Sequence, residues 1–591
     1  MAHYIVRGAH PNHPEKLSRI WKMEDIAYLC DMGADAVPME TEVLALRSCD
    51  VPDLSDAVGL SDVVANMKKL RWISLDYYPA SSFPSNFQPR ELGYLGLKFS
   101  KQKELWHGNK HLPNLKILDL SASKNLIRTP DFDGLPCLER LILSGCWSLE
   151  EIHPSIGYHK RLVYVNMEEC VGLKSFPPII QMQMLETLIL SECRELQQFP
   201  DIKSNKSLPN LKILDLGDCN KLQQFPDIQS SKSLPNLKIL DLQSARNLIR
   251  TPDFEGLPCL ERLILAGCCS LEEIHPSIGY HKCLVFVDMS YCERLKRFPP
   301  IIHMKKLETL NLSNCVELQQ FPDIQSNMNS LVTLDLSDTG IQIIPPSDGR
   351  LPGLKFLDLS DCINLVELPD LPSSIAILKA DGCDSLESVG DLSDYKWLWK
   401  VSLWGCYKLI GGERVLHSML EENAVKEDRF MSVLLPVVEP SSRIFTRLVT
   451  LQLPSNWYSD FSGLLLFLRD DDEYRLSENI YIKQVTSTYD YSEESDEDWE
   501  QCKYERVGYV PFNSLRHIPW LNPTYTKNIS FQTNRGGLNV ELVRSKNEIV
   551  DLNENPIDYS ECWDEEDEDR KTFEIMYDSQ SSNIQIVWKH Y

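Results

Sequence analysis

Long apolar runs and basic charge are both scarce in this chain of 591 residues. No stretch approaches the ~18 to 20 uncharged apolar residues of a membrane-spanning helix, and the opening segment MAHYIVRGAHPNHPEK lacks the apolar core of a secretory signal. We therefore expect no membrane span and no ordinary secretion. The chain has 60 lysines and arginines against 86 acidic residues, a net charge of -26. Because nucleic-acid affinity comes mostly from basic side chains that neutralise phosphates, we expect no nucleic-acid partner.

Motifs of nucleotide binding, metal binding and hydrolysis are also absent. The sequence contains no GxxxxGK[ST], GxGxxG, HExxH, GxSxG or CxxC, and its 13 histidines are scattered. The 18 cysteines are too sparse for a disulfide scaffold, so the simplest interpretation is reduced, buried thiols in the cytosol. We expect no enzyme activity, no cofactor and no metal site in this chain.

The middle of the chain is dominated by a repeat of the form LxxLxLxxC. We number the nine residues of this motif as positions one to nine. Position one occurs fifteen times, from Leu70 to Leu398, at intervals of 21 to 26 residues. Such a repeat predicts an α/β leucine-rich-repeat solenoid, with short parallel strands on the concave face and an irregular, proline-bearing convex side. Ten cysteines occupy position nine, which faces the interior, and we interpret them as small buried side chains with no chemical role.

The two ends differ from the repeats, and three domains are predicted. Residues 1–45 are polar and too short for a core of their own, although a helix is predicted over residues 23–30. Residues 46–435 form the solenoid of about 15 repeats. Residues 436–591 contain short alternating runs such as SGLLLFL and NIYIKQV, which predict a β-sandwich.

An internal duplication shows where the sequence is free to change. Residues 112–202 recur as residues 234–324 with 21 differences in 91 positions. Nine of the sixteen sites predicted to face solvent on the sheet, at positions three, five, seven and eight, differ between the copies. None of the twelve framework hydrophobics at positions one, four and six differs. One interpretation of this pattern is that exposed sites simply tolerate substitution. The other is that these sites form a recognition surface whose side chains are free to vary.

Aromatic and polar residues at these positions are the candidate contacts with a protein partner. Large rings in water on a sheet face are typical interface anchors. The aromatic candidates are Trp72, Tyr94, Tyr164, Phe286, Tyr291, Phe356 and Trp404. The polar candidates are Asn166, Glu168, Glu169, Asp288 and Asn311. An aspartate column at position five, from Asp119 to Asp358, predicts attraction of a basic partner, although solvated acids are common there.

Four segments resemble one protein family. The repeats LxxLxLxxCxxLxxxP, the upstream YIVRGAHPNHPEKLSRIWKMEDI and the downstream LPSNWYSDFSGLLLFL and SLRHIPWLNPTYTKNISF are similar to plant TIR-type nucleotide-binding leucine-rich-repeat immune receptors. The resemblance implies that residues 1–45 end the winged-helix part of a nucleotide switch. It also implies that residues 436–591 form a jelly-roll or Ig-like domain that engages pathogen effector proteins together with the repeats.

The resemblance also implies a cellular location and partners for this chain, but it does not imply the enzymatic and nucleotide-binding activities of the family. It implies a cytoplasmic protein, present also in the nucleus, with full-length receptors as further partners. Trp457 and Tyr458 become candidate contacts near the entrance of the C-terminal domain, although a tryptophan beside LPSN is also typical of buried packing. The catalytic glutamate of the TIR domain and the phosphate-binding loop have no counterpart in these residues, so neither NAD cleavage nor nucleotide switching carries over.

The sequence therefore predicts the effector-recognition part of an intracellular immune receptor. Three other hypotheses stay open: a substrate adaptor for a ubiquitin ligase, an enzyme subunit that borrows its active site from a partner, and a truncated decoy without signalling.

Overall fold

The computed structural model describes most of the chain, in two compact units. The first unit comprises residues 1–318 and 322–330, and the second comprises residues 319–321 and 331–591. The described residues are 13–32, 40–46, 59–78, 82–84, 86–108, 110–200, 202, 208–225, 234–320, 322–344, 350–368, 370–424, 429–436, 443, 445–454, 457–469, 477–484, 504–515, 518, 521, 528–533, 536–544, 573–578 and 583–589.

The first unit is built on short parallel strands, each of which pairs with the next along the chain. Its described strands are Arg19–Ile20, Val43–Leu46, Trp72–Leu75, Tyr94–Gly96, Ile117–Asp119, Arg140–Ile142, Tyr164–Asn166, Thr187–Ile189, Ile213–Asp215, Ile239–Asp241, Arg262–Ile264, Phe286–Asp288 and Thr309–Asn311. Two helices, Met23–Met32 and Leu60–Asn66, lie between the early strands.

The predicted repeat matches the strands turn by turn. Fifteen strands, from Trp72–Leu75 in the first unit to Lys400–Ser402 in the second, each begin at position three of one of the fifteen repeats. In a typical turn Leu162, Val165 and Met167 at positions one, four and six are fully buried. Each such side chain contributes about 1.5–3 kcal/mol of transfer free energy to folding. The predicted solenoid of about 15 turns is confirmed.

In every one of the fifteen turns, the backbone after the strand adopts the same left-handed conformation at one position. The residue at position eight has a positive φ in all fifteen, as a glycine in four turns and another residue in eleven, for example Glu169 at 57°. In thirteen of the turns the N–H of this residue donates to a carbonyl of the next turn, and that of Glu169 donates to the carbonyl of Ser191 at 2.9 Å. These hydrogen bonds offset the cost of about 1–2 kcal/mol that a non-glycine residue pays in the left-handed region.

Ten cysteines form a second ladder inside the solenoid. Each Sγ donates to the carbonyl of the position-six residue in the preceding turn, at 2.9 to 3.3 Å; the donors are Cys146, Cys170, Cys193, Cys219, Cys268, Cys292, Cys315, Cys362, Cys383 and Cys406. Burial raises the pKa of the Cys146 thiol to about 12, which keeps it protonated and able to donate. The predicted burial of these ten cysteines is confirmed.

The connections between strands are irregular, as the prolines predict. Among the described residues between 72 and 402 there is no α-helix. The connections of the duplicated region use single 3-10 turns instead: Phe132–Gly134, Pro154–Tyr158, Phe254–Gly256 and Pro276–Tyr280. Gly157 lies in the first PSIGY segment. A Cβ atom on this residue would lie 2.1 Å from the carbonyl oxygen of Pro178, so only glycine fits this close approach.

The parallel sheet begins upstream of the first predicted repeat. Arg19–Ile20 pairs with Val43–Leu46, which crosses the boundary predicted after residue 45 and pairs with Trp72–Leu75. Thr41 occupies the position of the first leucine, and its Oγ1 donates to the carbonyl of Leu17 at 2.8 Å. The helix predicted over residues 23–30 is confirmed as Met23–Met32. Residues 1–12 and 33–39 of the predicted first domain lie outside the described residues.

The second unit begins with parallel strands and continues with antiparallel ones. The parallel strands are Thr333–Asp335, Phe356–Asp358, Ile377–Lys379, Lys400–Ser402 and Met431–Pro436. A helical segment, Gly412–His417 followed by a π turn at Ser418–Ala424, precedes the last of them. On its other side Met431–Pro436 pairs antiparallel with Tyr504–Pro511, so the boundary predicted after residue 435 falls inside a strand shared by the repeats and the C-terminal region.

The C-terminal strands of the second unit lie in two sheets. The sheet of Met431–Pro436 and Tyr504–Pro511 continues through Phe461–Arg469 to Gly537–Arg544. A separate antiparallel sheet has the order Leu448–Gln452, Asn528–Thr533, Ser477–Gln484, Asn583–Lys589 and Phe573–Asp578. One buried cluster takes side chains from both sheets, among them Leu464, Leu466, Ile480, Phe531 and Ile586. The short elements Trp457–Asp460 and Phe512–Leu515 complete this region.

The cysteine ladder generates a stability prediction at Cys170, whose Sγ lies 3.2 Å from the Leu143 carbonyl. Cys170→Ser keeps a donor, as Ser123 does at the same position with a 3.1 Å bond to the Leu97 carbonyl, and is expected to stay within about 1 kcal/mol of the parent. Cys170→Ala leaves the buried carbonyl without its donor and is expected to cost about 1–2 kcal/mol more. Urea unfolding of both variants checks this order, and an alanine variant more stable than the serine variant would contradict it.

Candidate protein-binding face

Side chains at positions three, five, seven and eight of each turn lie on one side of the sheet, which we call the sheet face. In the turn that begins at Leu162, Tyr164 and Asn166 are half-buried, and Glu168 and Glu169 are exposed. The alternating residues of the same strand point into the core. The predicted separation into a framework side and a solvent side is therefore present in the structure.

The sites that differ between the two copies lie on this face. Of the eighteen residues at the nine variable sheet positions, seventeen are at least partly exposed, and only Ser290 is buried. All framework residues at positions one, four and six in both copies are at most 2% exposed. Sequence change in the duplication has therefore been concentrated on the solvent side of the sheet.

The aspartates of position five stabilise the backbone turn that follows each strand. Their Oδ1 atoms accept a hydrogen bond from the N–H of position seven in the same turn, at 2.9 to 3.1 Å; the acceptors are Asp119, Asp215, Asp241, Asp288, Asp335 and Asp358. Asn166 and Asn311 accept the same bond at 2.8 and 3.0 Å. Position five therefore requires a side-chain oxygen that accepts this turn hydrogen bond, and both aspartate and asparagine supply one. Attraction of a basic partner by the column stays a prediction.

Two aspartates of the sheet face, one at position five and one at position seven, have raised pKa values. Burial, followed by the nearby Asp215, Asp218 and Asp288, raises the pKa of Asp241 to about 6, although the N–H of Gln243 opposes the shift. In the second unit, burial also raises the pKa of Asp381 to about 6 despite hydrogen bonds from Ser402 and the Trp404 N–H. The charge of the sheet face therefore changes between about pH 5 and pH 7.

Two stacked aromatic pairs lie on the sheet face at the start of the repeats. The rings of Trp72 and Tyr94 stack at 3.7 Å between centroids with 9° between their planes, and those of Tyr77 and Phe99 stack at 5.1 Å. Three of the four are more than 40% exposed, and Tyr94 is half-buried beneath its neighbour. Burial raises the pKa of Tyr94 to about 12. We call these four residues the aromatic patch.

Two members of the aromatic patch, Tyr77 and Phe99, were not among the predicted contacts. Both occupy position eight of their turns and have φ values of 59° and 55°. Position eight was identified as solvent-facing, so the repeat register contained the signal that locates them.

Other predicted aromatics are covered by cations from neighbouring turns. The guanidinium of Arg140 lies 4.1 Å above the ring of Tyr164, and Arg262 lies 4.0 Å above Phe286 at the equivalent place in the second copy. Such contacts contribute about 0.5–1 kcal/mol at exposed sites, and they leave both rings half-buried. Tyr291, by contrast, is 53% exposed.

Two predicted contacts of the second unit lie on its part of the sheet face. The ring centroid of Phe356 is 5.6 Å from the Lys379 ammonium. The side chain of Trp404 is half-buried at position seven of its turn, and the backbone N–H of Trp404 donates to Asp381 at 2.7 Å. Both side chains are therefore only partly available to a partner.

Trp457 is not available as a surface contact. It is 1% exposed and packs edge-on against Phe512, with 4.8 Å between the ring centroids. Its assignment as a partner contact is wrong, and the alternative interpretation as a packing residue is confirmed, because burial of the whole indole removes it from solvent. Tyr458 lies in the helix Trp457–Asp460, and its side chain is outside the described residues.

Within the described residues, no group of three or more histidine, cysteine or acidic side chains is arranged to hold a metal ion. A search of the same residues finds no helix that is both long enough and apolar enough to cross a bilayer.

The raised pKa of Asp241 generates a prediction about pH. Because the folded state binds this proton more tightly than the unfolded chain, stability falls as the pH rises from about 4 to about 6. Asp241→Asn keeps the acceptor for Gln243 and removes the charge. We expect it to stabilise the protein at pH 7 by on the order of 1 kcal/mol, discounted for solvent screening, and to flatten this part of the pH profile.

Thermal unfolding between pH 4 and pH 8 measures the effect, and Asp241→Ala separates the lost charge from the lost hydrogen bond. The alanine variant also loses the turn cap and should be less stable than the asparagine variant at every pH. An unchanged pH profile for Asp241→Asn would contradict the assignment.

Comparison with curated proteins finds relatives among plant disease resistance proteins. TMV resistance protein N of Nicotiana glutinosa is 33% identical over 224 residues, which cover 34% of this chain and 19% of that protein. Disease resistance protein RPP4 of Arabidopsis thaliana is 36% identical over 27% of this chain and 14% of its own length. Disease resistance protein RPV1 of Vitis rotundifolia is 34% identical over the same shares. The chain thus spans less than a fifth of the length of these relatives.

No protein-family model matches the chain. Among solved structures, an internalin of Listeria monocytogenes is 13% identical with a TM-score of 0.25, over 58% of this chain and 87% of the internalin. The fold therefore rests on the repeat register and its strands. In about a third of its length, the chain is similar to the leucine-rich-repeat region of TIR-type nucleotide-binding disease resistance proteins of plants, as its motifs predict.

Proposed function

We propose that this chain is the effector-recognition part of a plant intracellular immune receptor and binds pathogen proteins through the sheet face. Its relatives are named for disease resistance, which supports a role in immunity. The rest of the receptor mechanism, including any contact with full-length receptor partners, is proposed by analogy with those longer proteins. The proposed location is the cytoplasm and the nucleus.

One observation carries the proposal. In the duplication, nine of sixteen sheet-face sites have changed and none of the twelve framework sites has. Exposure alone does not explain this pattern, because the outer turn EEIHPSIGYHK is unchanged although Tyr158 in it is 57% exposed and its counterpart Tyr280 is 55% exposed. A surface selected for different partners accounts for both facts.

The side chains of the face suit contact with a folded protein. The aromatic patch and Tyr291 offer large rings with low conformational-entropy cost, which are the residues enriched at interface hot spots. Glu168 and Glu169 are exposed acids beside the half-buried Tyr164 and Asn166. Asp288, Asn311, Phe356 and Trp404 extend the proposed contacts along the sheet in their respective units.

The C-terminal region completes the proposed sensor. We propose that residues 436–591 form a jelly-roll or Ig-like β-sandwich, supported by the two antiparallel sheets and the buried cluster that they share. Residues 46–435 then form the repeat domain, and residues 1–45 the end of a preceding winged-helix module. Tyr458 remains a proposed contact near the start of the C-terminal domain.

A pair of tyrosines on successive turns of the first unit provides a matched test. Tyr291 lies on the sheet face and is 53% exposed, and Tyr280 lies on the outer turn and is 55% exposed. Pathogen proteins that bind the full chain are selected from a displayed library, and affinities are then measured for Tyr291→Ala and Tyr280→Ala. Tyr291→Ala is expected to weaken binding about tenfold or more, equivalent to ~1.4 kcal/mol, and Tyr280→Ala to leave it unchanged.

Trp404→Ala extends the same test to the second unit, where a smaller loss is expected because the ring is half-buried. Circular dichroism of each variant confirms that the fold is intact. Equal effects of Tyr291→Ala and Tyr280→Ala, or no effect of Tyr291→Ala with an intact fold, would remove the sheet face as the binding surface.

A further inference from the structure

A cavity lies on the flank of the first unit, away from the sheet-face positions. Its volume is about 350 Å³, and it is lined by residues that lie just before the first residue of successive strands. Two cysteines, Cys259 and Cys283, line it together with Lys238 and Glu261. Cys259 is exposed and Cys283 is half-buried, so solvent reaches this pair.

The two thiols occupy equivalent places on adjacent turns. Cys259 precedes the strand Arg262–Ile264 by three residues, and Cys283 precedes the strand Phe286–Asp288 by three; Arg262 and Phe286 are register partners. Neighbouring strands lie about 4.8 Å apart. That spacing falls within the Cα separation of about 4.4–6.8 Å that a disulfide bond spans.

Side chains at this place in the turn reach the preceding turn. Asn236, the equivalent residue one turn before Cys259, donates from Nδ2 to the carbonyl of Pro209 at 2.7 Å. Asn210, one turn earlier, donates in the same way to the carbonyl of Gln183 at 2.8 Å. A side chain at Cys283 is therefore directed at the turn that contains Cys259.

The ladder cysteines lack access to solvent, and Cys137 lacks a neighbouring thiol at the equivalent place. Most of the ten ladder cysteines lie one turn from the next, but all ten are buried. Cys137 is the counterpart of Cys259 in the first copy and is half-buried, but the residue that corresponds to Cys283 is Arg161. The pair is therefore found in the second copy and not in the first.

We propose that Cys259 and Cys283 are a redox-sensitive dithiol that a hydroperoxide oxidises to a disulfide bond between adjacent turns. The sulfur of Cys259 attacks one oxygen of hydrogen peroxide, the O–O bond breaks, and a sulfenic acid and one water form. The sulfur of Cys283 then attacks the sulfenic sulfur, the S–O bond breaks, and a second water leaves. Two thiols lose two electrons in total, and one peroxide becomes two waters.

The disulfide bond would tie together two turns that are otherwise joined by backbone hydrogen bonds. Val285 and Phe286 both donate to the carbonyl of Glu261, at 2.8 and 3.1 Å. A covalent link beside these bonds limits local opening of the turn between the two cysteines. Oxidation is therefore expected to slow amide exchange several-fold in residues 260–283 and to leave the matching residues 138–161 of the first copy unchanged.

The test uses the full, reduced chain titrated with hydrogen peroxide. Remaining thiols are blocked by alkylation, and peptides are mapped by mass spectrometry without reduction. We expect Cys259 and Cys283 to lose their alkylatable thiols together, with one intramolecular cross-linked peptide that reducing agent restores. Cys137 is the internal control and is expected to stay uncross-linked.

Cys283→Arg is the matched variant, because the first copy already holds Arg161 in this setting. It should abolish the cross-link and the change in amide exchange while the chain stays folded. Independent oxidation of the two cysteines, an intermolecular cross-link, or a peroxide response of Cys259 no different from that of Cys137 would each overturn the proposal.

Discussion

Stacking of each turn on its neighbours is the constraint on which the rest of the structure depends. A single turn holds too few residues to enclose a core, so Leu162, Val165 and Met167 are buried only because adjacent turns cover them. The backbone ladder and the position-nine thiols join the same neighbours, as the 3.2 Å bond from Cys170 to the Leu143 carbonyl illustrates. Any residue that disturbs this stacking disturbs three turns at once, which explains why both copies of the duplication keep their framework unchanged.

This constraint also reaches part of the sheet face. Position five supplies a turn-capping oxygen in many turns, so the exchange of Asn166 for Asp288 alters charge and preserves the hydrogen bond. Position eight requires a left-handed backbone, yet it accepts residues as different as Glu169 and Tyr291. Recognition chemistry therefore varies at positions that the backbone geometry fixes in place. Such an arrangement presents new side chains in a constant geometry, and it suits a surface that must change its partner without refolding.

Much of this could be predicted from the sequence, because the leucine register fixes strand position and orientation together. All fifteen repeat strands begin where the register places them, and the ninth-position cysteines donate where a buried thiol was expected. The early strand Val43–Leu46 was missed because Thr41 replaces the leucine that marks a turn. The double pairing of Met431–Pro436 depends on a partner strand some 70 residues away, at Tyr504–Pro511, which local periodicity does not reveal. Trp457 could not be assigned from sequence, since its burial depends on packing against Phe512.

The central claim is that a partner binds the variable sheet face over a fixed framework. Hydroxyl-radical footprinting of the full chain, alone and with a bound pathogen protein, measures side-chain accessibility across both faces at once. The account predicts that labelling falls at Trp72, Tyr77, Phe99 and Tyr291 and is unchanged at Tyr158 and Tyr280, which are the exposed rings of the unvaried outer turns. Protection of the outer-turn tyrosines with full labelling of the sheet-face aromatics would contradict it.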